Sequence, residues 1–216
     1  MNKISTETKK YTYLKLRVSL SDHPTKLYRI FLINENESLN TLGFTIMIAF
    51  NTLCYHYFAF WVGFDRDMYK IPSKYDDEDE YTRKYHPTRN SDIPIKEIFK
   101  KVKKQFTMTY DMGESYDFRI ELVDKITKSE LDEYPKCLKA VGYGILENDH
   151  GGFDDFLKGK KTLKELNEDD WTIDTIDCED FYKDVDLTEI NDLIESELKS
   201  VEYFYLHEKE EYDAVA

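Results

Sequence analysis

Between Gln105 and Val123 the chain reads QFTMTYDMGESYDFRIELV, with apolar side chains on every second residue of two arms. Phe106, Met108 and Tyr110 mark the first arm, and Phe118, Ile120 and Leu122 the second. A period of two gives each arm one dry face and one wet face, which a helix of 3.6 residues per turn cannot do. Between the arms lie Asp111 to Ser115, where Gly113 can take a positive φ and Asp111 can bond the backbone of the turn. The stretch therefore predicts a half-buried β-hairpin. A lone hairpin is marginal in water, so the rest of the chain has to supply more strands and a cover for the dry face.

Both are present. Leu14, Leu16, Val18 and Leu20 alternate with Tyr13, Lys15, Arg17 and Ser19, and after a turn at Ser21 to Pro24 the run LYRIFLI (27–33) reads as a neighbouring strand. Tyr55 to Phe64, YHYFAFWVGF, has the aromatic and β-branched content of a central strand. Ser38 is a good N-cap for a helix from Leu39 to Asn51, in which Leu39, Leu42, Ile46, Ala49 and Phe50 recur at helical spacing. Phe44, Met47 and Ile48 widen that stripe until the helix is apolar nearly all round, which predicts burial. A short helix is expected over Ile93 to Lys101 and a last one from Thr188, with Ile190, Leu193, Ile194, Leu198 and Val201 on its inner face. Tyr134 to Leu138 and Asn148 to Gly152 read as ordered loop, and Phe153 to Leu157 as a helical turn.

The expected fold is a single-domain α+β structure. It has a mainly antiparallel sheet from strands near 11, 27, 55, 105 and 116, the apolar helix packed on one face, and a C-terminal helical segment. Residues 1–10 are expected to fray, 11–205 to form the domain, about 70–92 to make an exposed acidic loop around Asp76 to Glu80, and 206–216 to be a polar tail. Trp171 and Phe181 are expected to anchor an otherwise acidic surface segment.

Charge separates the two parts of the chain. Residues 1–128 hold 21 Lys and Arg against 18 Asp and Glu, a net of +3, whereas 129–216 hold 9 against 26, a net of −17; the whole carries −14. An acidic body repels phosphate backbones, so no nucleic-acid partner is expected. Lys96, Lys100, Lys101, Lys103 and Lys104 form the one concentrated basic patch, a solvated helix face without the arginines or stacking pattern of a phosphate track. Cys54, Cys137 and Cys178 are an odd number with no CxxC spacing, which argues against a disulfide framework. Leu42 to Phe64 is interrupted by Asn51 and His56, so neither a membrane span nor a leader is expected, and a cytoplasmic location is.

No phosphate loop, HExxH, nucleophile elbow or kinase signature occurs, and no cofactor is expected. The chemistry-bearing residues concentrate at His56, at the hairpin turn, and near 147–150. His56 reads as a core histidine with one hydrogen bond, or as a ligand or proton carrier. Asp111, Glu114, Glu147 and Asp149 can act as solvated loop carboxylates, or as a cluster for a divalent cation and general acid–base work. Zinc held by Cys137, His150, Cys178 and a carboxylate is chemically allowed, although the spacings match no standard site. The candidate binding residues are His56, Tyr110, Asp111, Glu114, Tyr116, Asp149 and His150.

In their order these segments resemble the plasmid pRiA4b ORF-3-like family, which includes passenger proteins of an insertion element. The family's WRRI-like strand and capped helix correspond to LYRIFLINENESLNTLGFTIMIAFN. Its HLHEF, YDFGDxWEH, YPRCL and EDCGG segments correspond to YHYFAF, YDMGESYDF, YPKCL and NDHGGFDDFL, and DLTEINDLI also fits, so that the resemblance spans about Tyr11 to Glu197. Departures fall at Phe58 for a histidine, Tyr116 and Phe118 for a tryptophan and a histidine, His150 for a cysteine, and Ile145 for an earlier cysteine. The resemblance implies a mobile-element association and no defined reaction. A recombinase would need a nucleophile among clustered arginines, and Arg17, Arg29, Arg66, Arg83, Arg89 and Arg119 are scattered along the chain. The expected function is a non-enzymatic binding module with a protein partner. The rival is a metal-assisted hydrolase or nuclease built on Asp111, Glu114 and Asp149 with His56 as acid or base.

Overall fold

A computed structural model describes residues 9–72, 88–147, 149–162, 164–166 and 185–209. The hairpin at its centre is β6 (Gln105–Tyr110) and β7 (Tyr116–Lys128), paired from Gln105↔Glu121 to Tyr110↔Tyr116. Around it β1 (Tyr11–Leu20), β2 (Tyr28–Asn34), β3 (Phe58–Val62), β4 (Asp67–Lys70), β5 (Arg89–Asn90) and β8 (Lys136–Val141) complete an eight-stranded sheet in the order β5-β4-β3-β6-β7-β1-β2-β8. Every pairing is antiparallel except the short one between β4 and β5. The expected mixed α+β architecture with a mainly antiparallel sheet is therefore the fold.

Alternation sets the faces. Leu14, Leu16, Val18, Phe60, Met108, Phe118 and Ile120 are buried together against helix α1 (Leu39–Ala49). Ser38 caps α1 as its sequence predicts, its Oγ accepting from the Thr41 N–H at 3.1 Å. Apart from Thr41 every residue of α1 is buried, because the sheet lies on one side and helix α4 (Leu187–Tyr203) on the other. That sandwich is why the helix has to be apolar all round. Its contact with β3 is close: a Cβ on Gly43 would stand 2.4 Å from the Phe58 ring. Each large apolar side chain buried here contributes about 1.5–3 kcal/mol, so the sheet, α1 and α4 stand or fall together.

Helix α4 turns Ile190, Ile194 and Leu198 inward at helical spacing, while Leu193, expected on the same face, is exposed. The helix runs on through a π-helical turn, Phe204–Glu208, that seats Tyr205 against Phe44 and Phe58. Lys209 is buried with its ammonium 4.3 Å from the Tyr57 ring centre, so the stretch from 206 begins as packed structure rather than as a polar tail.

Other expectations need correction. Helix α2 is Ile95–Lys101, two residues later than expected, and helix α3 is His150–Leu157, capped by Asp149. Tyr55 to Tyr57 lie outside β3, so His56 is not in a strand. Lys136 to Leu138, expected as loop, begin the edge strand β8, whose half-exposed sequence KCLKAV shows little alternation. Within the expected acidic loop, Lys70 ends β4, Arg89–Asn90 form β5, and Ser91 is buried with its hydroxyl on Asn40 Oδ1 at 2.5 Å. Asp76 to Glu80, Trp171, Phe181, Cys178 and the last residues of the tail lie outside the described residues. No described helix is long and apolar enough to cross a membrane.

Candidate functional site

The residues singled out from the sequence gather at one end of the hairpin. Asp111 opens the turn with φ +53°, and its Oδ1 accepts from the N–H groups of Gly113 at 3.0 Å and Glu114 at 3.3 Å. The left-handed positions are Asp111 and Ser115 rather than Gly113, because the carboxylate bonds offset the strain that a glycine would have avoided. The other Asp111 oxygen lies 3.4 Å from His56 Nε2, and the Asp111 N–H donates to Tyr57 O at 3.0 Å. His56 is thus half-buried over the turn, with its ring 5.9 Å from that of Tyr110.

From the opposite side the segment before α3 closes on the same turn. Glu114 Oε2 accepts from the His150 N–H at 3.0 Å, and the His150 Nδ1–H donates to Glu114 O at 2.8 Å. The imidazole packs on Tyr116 at 4.8 Å between ring centres. Asp149 Oδ1 accepts from the Gly152 N–H at 2.7 Å and so caps α3. Tyr116 is fully buried and its hydroxyl donates to Leu146 O at 2.5 Å.

Glu147, weighed in the sequence only as one carboxylate among several, is the electrostatic centre. Its Oε1 accepts from the Leu53 N–H at 2.6 Å and from the buried Tyr110 hydroxyl at 2.9 Å. Its Oε2 is buried with no hydrogen-bond partner. Burial, with a smaller push from Asp111, moves its carboxyl above the usual range. Tyr110 and Tyr116 are likewise held as neutral phenols, by burial first and by the neighbouring carboxylates second. Burial also pushes the Cys54 thiol up to about 11, so no thiolate nucleophile stands here at neutral pH.

This arrangement is a polar lock. Each of its four carboxylates holds backbone N–H groups through one oxygen, and the lock ties the hairpin turn to Leu146, Glu147 and His150. Among the described residues no group of three or more His, Cys, Asp and Glu side chains is placed to hold a metal ion. Cys137 and His150 sit on different elements: Cys137 is buried in β8 with its thiol on Lys139 O, and His150 is engaged by Glu114.

A second feature lies at the sheet edge. The loop before β8, β8 itself and α4 enclose an open groove of ≈ 800 Å³ lined by Leu131, Tyr134, Leu138, Asp192 and Glu195 among others. Leu131 is 56% exposed and Leu138 42%. Asp132 and Glu133 are engaged by Lys128, Lys136 and Lys199, whereas Asp192 and Glu195 have no ion-pair partner among the described residues. The edge strand does not offer a free backbone at the groove floor: Asn191 Oδ1 accepts from the Cys137 N–H at 2.8 Å and Asn191 Nδ2 donates to Cys137 O at 3.0 Å. Sequence reading missed the groove because it requires β8, and β8 has no periodic signal.

An antiparallel-rich sheet with a helix sandwiched between it and a C-terminal helix, locked at the hairpin turn, defines an α+β scaffold. The chain belongs to the plasmid pRiA4b ORF-3-like protein family, whose model matches residues 12–189. No curated protein matches it. The crystal structure of a protein of unknown function from Methanosarcina mazei Go1 shares its fold, with a TM-score of 0.62 and 19% identity over 83% of this chain and 97% of that one. At that identity the likeness establishes the fold alone.

Proposed function

We propose that this protein is a non-enzymatic, mobile-element-associated and cytoplasmic interaction module that receives an extended segment of a partner protein in the groove between β8 and α4. The observation that carries the reading is the lining of that groove: exposed Leu131 and Leu138 beside two carboxylates, Asp192 and Glu195, that pair with no described cation. Apolar side chains flanked by unneutralised acids complement a segment that carries apolar and basic residues. The acidic lining of the groove, Asp192 and Glu195 beside Asp132 and Glu133, favours the approach of such a segment. The hydrolase reading draws less support, because Asp111, Glu114 and Asp149 spend oxygens on backbone N–H groups of the lock.

The test is selection of a random-peptide display library on the folded chain. Support is enrichment of peptides with apolar and basic residues whose affinity falls about tenfold or more, roughly 1.4 kcal/mol, in Asp192→Asn/Glu195→Gln. Absence of enrichment, or peptides indifferent to both substitutions and to Leu138→Asp, overturns it.

A further inference from the structure

On the face of the sheet opposite α1, the register lines up Trp61, Thr107, Arg119 and Ser19 on β3, β6, β7 and β1 as direct cross-strand neighbours. At about 4.8 Å per strand this row spans roughly 14 Å. Trp61, Thr107 and Arg119, with Ser21, Arg66, Gln105 and Asp117, line a cavity of ≈ 400 Å³.

The guanidinium of Arg119 is the unusual member. Asp117 and Glu121 flank it at i±2 on the same face of β7, and neither forms an ion pair with it. Asp117 Oδ1 accepts from the Thr109 hydroxyl at 2.5 Å, and Glu121 pairs with Arg17 at 3.5 Å. Arg119 is left half-buried with no side-chain partner among the described residues. The neighbours are held rigid. The Trp61 indole N–H donates to Thr109 Oγ1 at 3.0 Å, which fixes the ring, and the Arg66 guanidinium lies 5.1 Å from that ring's centre. Arg66 is carried there by the tight turn after β3, where Gly63 and Arg66 both have positive φ.

We propose that this cavity binds a small phosphate ester. Two guanidinium groups, one unpaired and one held over the indole, match the oxygens of a phosphate in forked geometry, and the Thr107 and Ser21 hydroxyls with the Gln105 amide suit the hydroxyls of a sugar. The cavity volume fits one nucleotide or sugar phosphate. It does not extend into a basic track, so the occupant is a small molecule rather than a nucleic-acid strand. The site lies on the sheet face opposite the packed helix α1, and its test is independent of the peptide groove.

Trp61 reports on the site directly. In full-length protein carrying Trp171→Phe, indole fluorescence is titrated with inorganic phosphate, with a nucleoside monophosphate, with a hexose phosphate, and with the corresponding nucleoside and hexose. The expected result is saturable change with both esters at roughly millimolar concentration or below and none with the unphosphorylated compounds. Arg119→Gln weakens the affinity about tenfold or more and Arg119→Lys by less, with thermal unfolding unchanged in both. Equal response to ester and parent, no saturable change, or an ester affinity untouched in Arg119→Gln overturns the proposal. So does a short single-stranded oligonucleotide that binds much more tightly than the mononucleotide.

Discussion

Arg29 Nε donates to the carbonyl oxygen of Ala49 at 2.8 Å, tying the start of strand β2 to the last residue of helix α1. Its remaining donors go to Tyr28 O at 3.1 Å, Val141 O at 2.9 Å and Tyr143 O at 2.6 Å, and the Phe50 ring lies 4.7 Å from the guanidinium carbon. A fully buried arginine thus serves carbonyls alone, in part at the negative end of a helix dipole. Burial lowers its pKa to about 10, which still leaves it charged at neutral pH. Arg29→Met should cost roughly 3–5 kcal/mol, because it orphans buried carbonyls that the methionine cannot serve. Urea unfolding monitored by far-UV circular dichroism measures it; a loss below about 1 kcal/mol would show that water replaces the guanidinium.

Glu147 gives the lock a pH dependence whose sign is fixed. Its folded carboxyl titrates above the ordinary value of 4.5 because it is buried. Between those values the folded chain binds a proton that the unfolded chain has lost, so this group's contribution to stability falls as pH rises through the window and is flat above it. Glu147→Gln keeps an oxygen acceptor for Leu53 and Tyr110 and removes the titration. Against the wild type, the variant's relative stability should therefore rise with pH from about 4.5 upward and then level off. Unfolding midpoints across that range provide the check, and parallel curves would refute it.

Adjacent glycines in α3 should respond in opposite ways. A Cβ on Gly152 would lie 1.8 Å from Asp149 Oδ2 and 2.7 Å from Leu166, so Gly152→Ala displaces the capping carboxylate. Loss of that cap costs about 1–2 kcal/mol. At Gly151 the nearest atom is 4.0 Å away, so Gly151→Ala should be neutral or slightly stabilising by virtue of helix propensity. Thermal melts of the pair separate the two effects.

What the sequence disclosed follows from which interactions leave a periodic trace. The hairpin, β1 and α1 bury apolar side chains at regular spacing, and their order along the chain sufficed for the α+β sheet with its apolar helix. The lock was legible in part: Asp111 is a turn-bonding residue whose role its type announces, and it does bond Gly113 and Glu114. That Tyr110 and Tyr116 point into the core and meet Glu147 and Leu146 depends on partners more than 29 residues away, which no local pattern encodes. Arg29 was invisible for the same reason, since its acceptors are backbone carbonyls from three separate segments and carry no sequence signature. The strand β8 escaped because an edge strand half in water needs little alternation.

Asn191 makes a prediction about that edge. Its amide accepts from the Cys137 N–H and donates to Cys137 O, as an opposing strand residue would, and it also donates to Leu187 O at 2.7 Å within its own helix. A side chain on α4 thereby satisfies the backbone of a terminal strand that would otherwise template pairing with another chain. Asn191→Ala should lower stability by about 1–2 kcal/mol and introduce concentration-dependent association, read by sedimentation velocity. Asn191→Asp retains the acceptor for the Cys137 N–H but sets a carboxylate against the Cys137 carbonyl, so it should be destabilised as well. An alanine variant that stays monodisperse and as stable as the wild type would mean that water guards this edge and Asn191 does not.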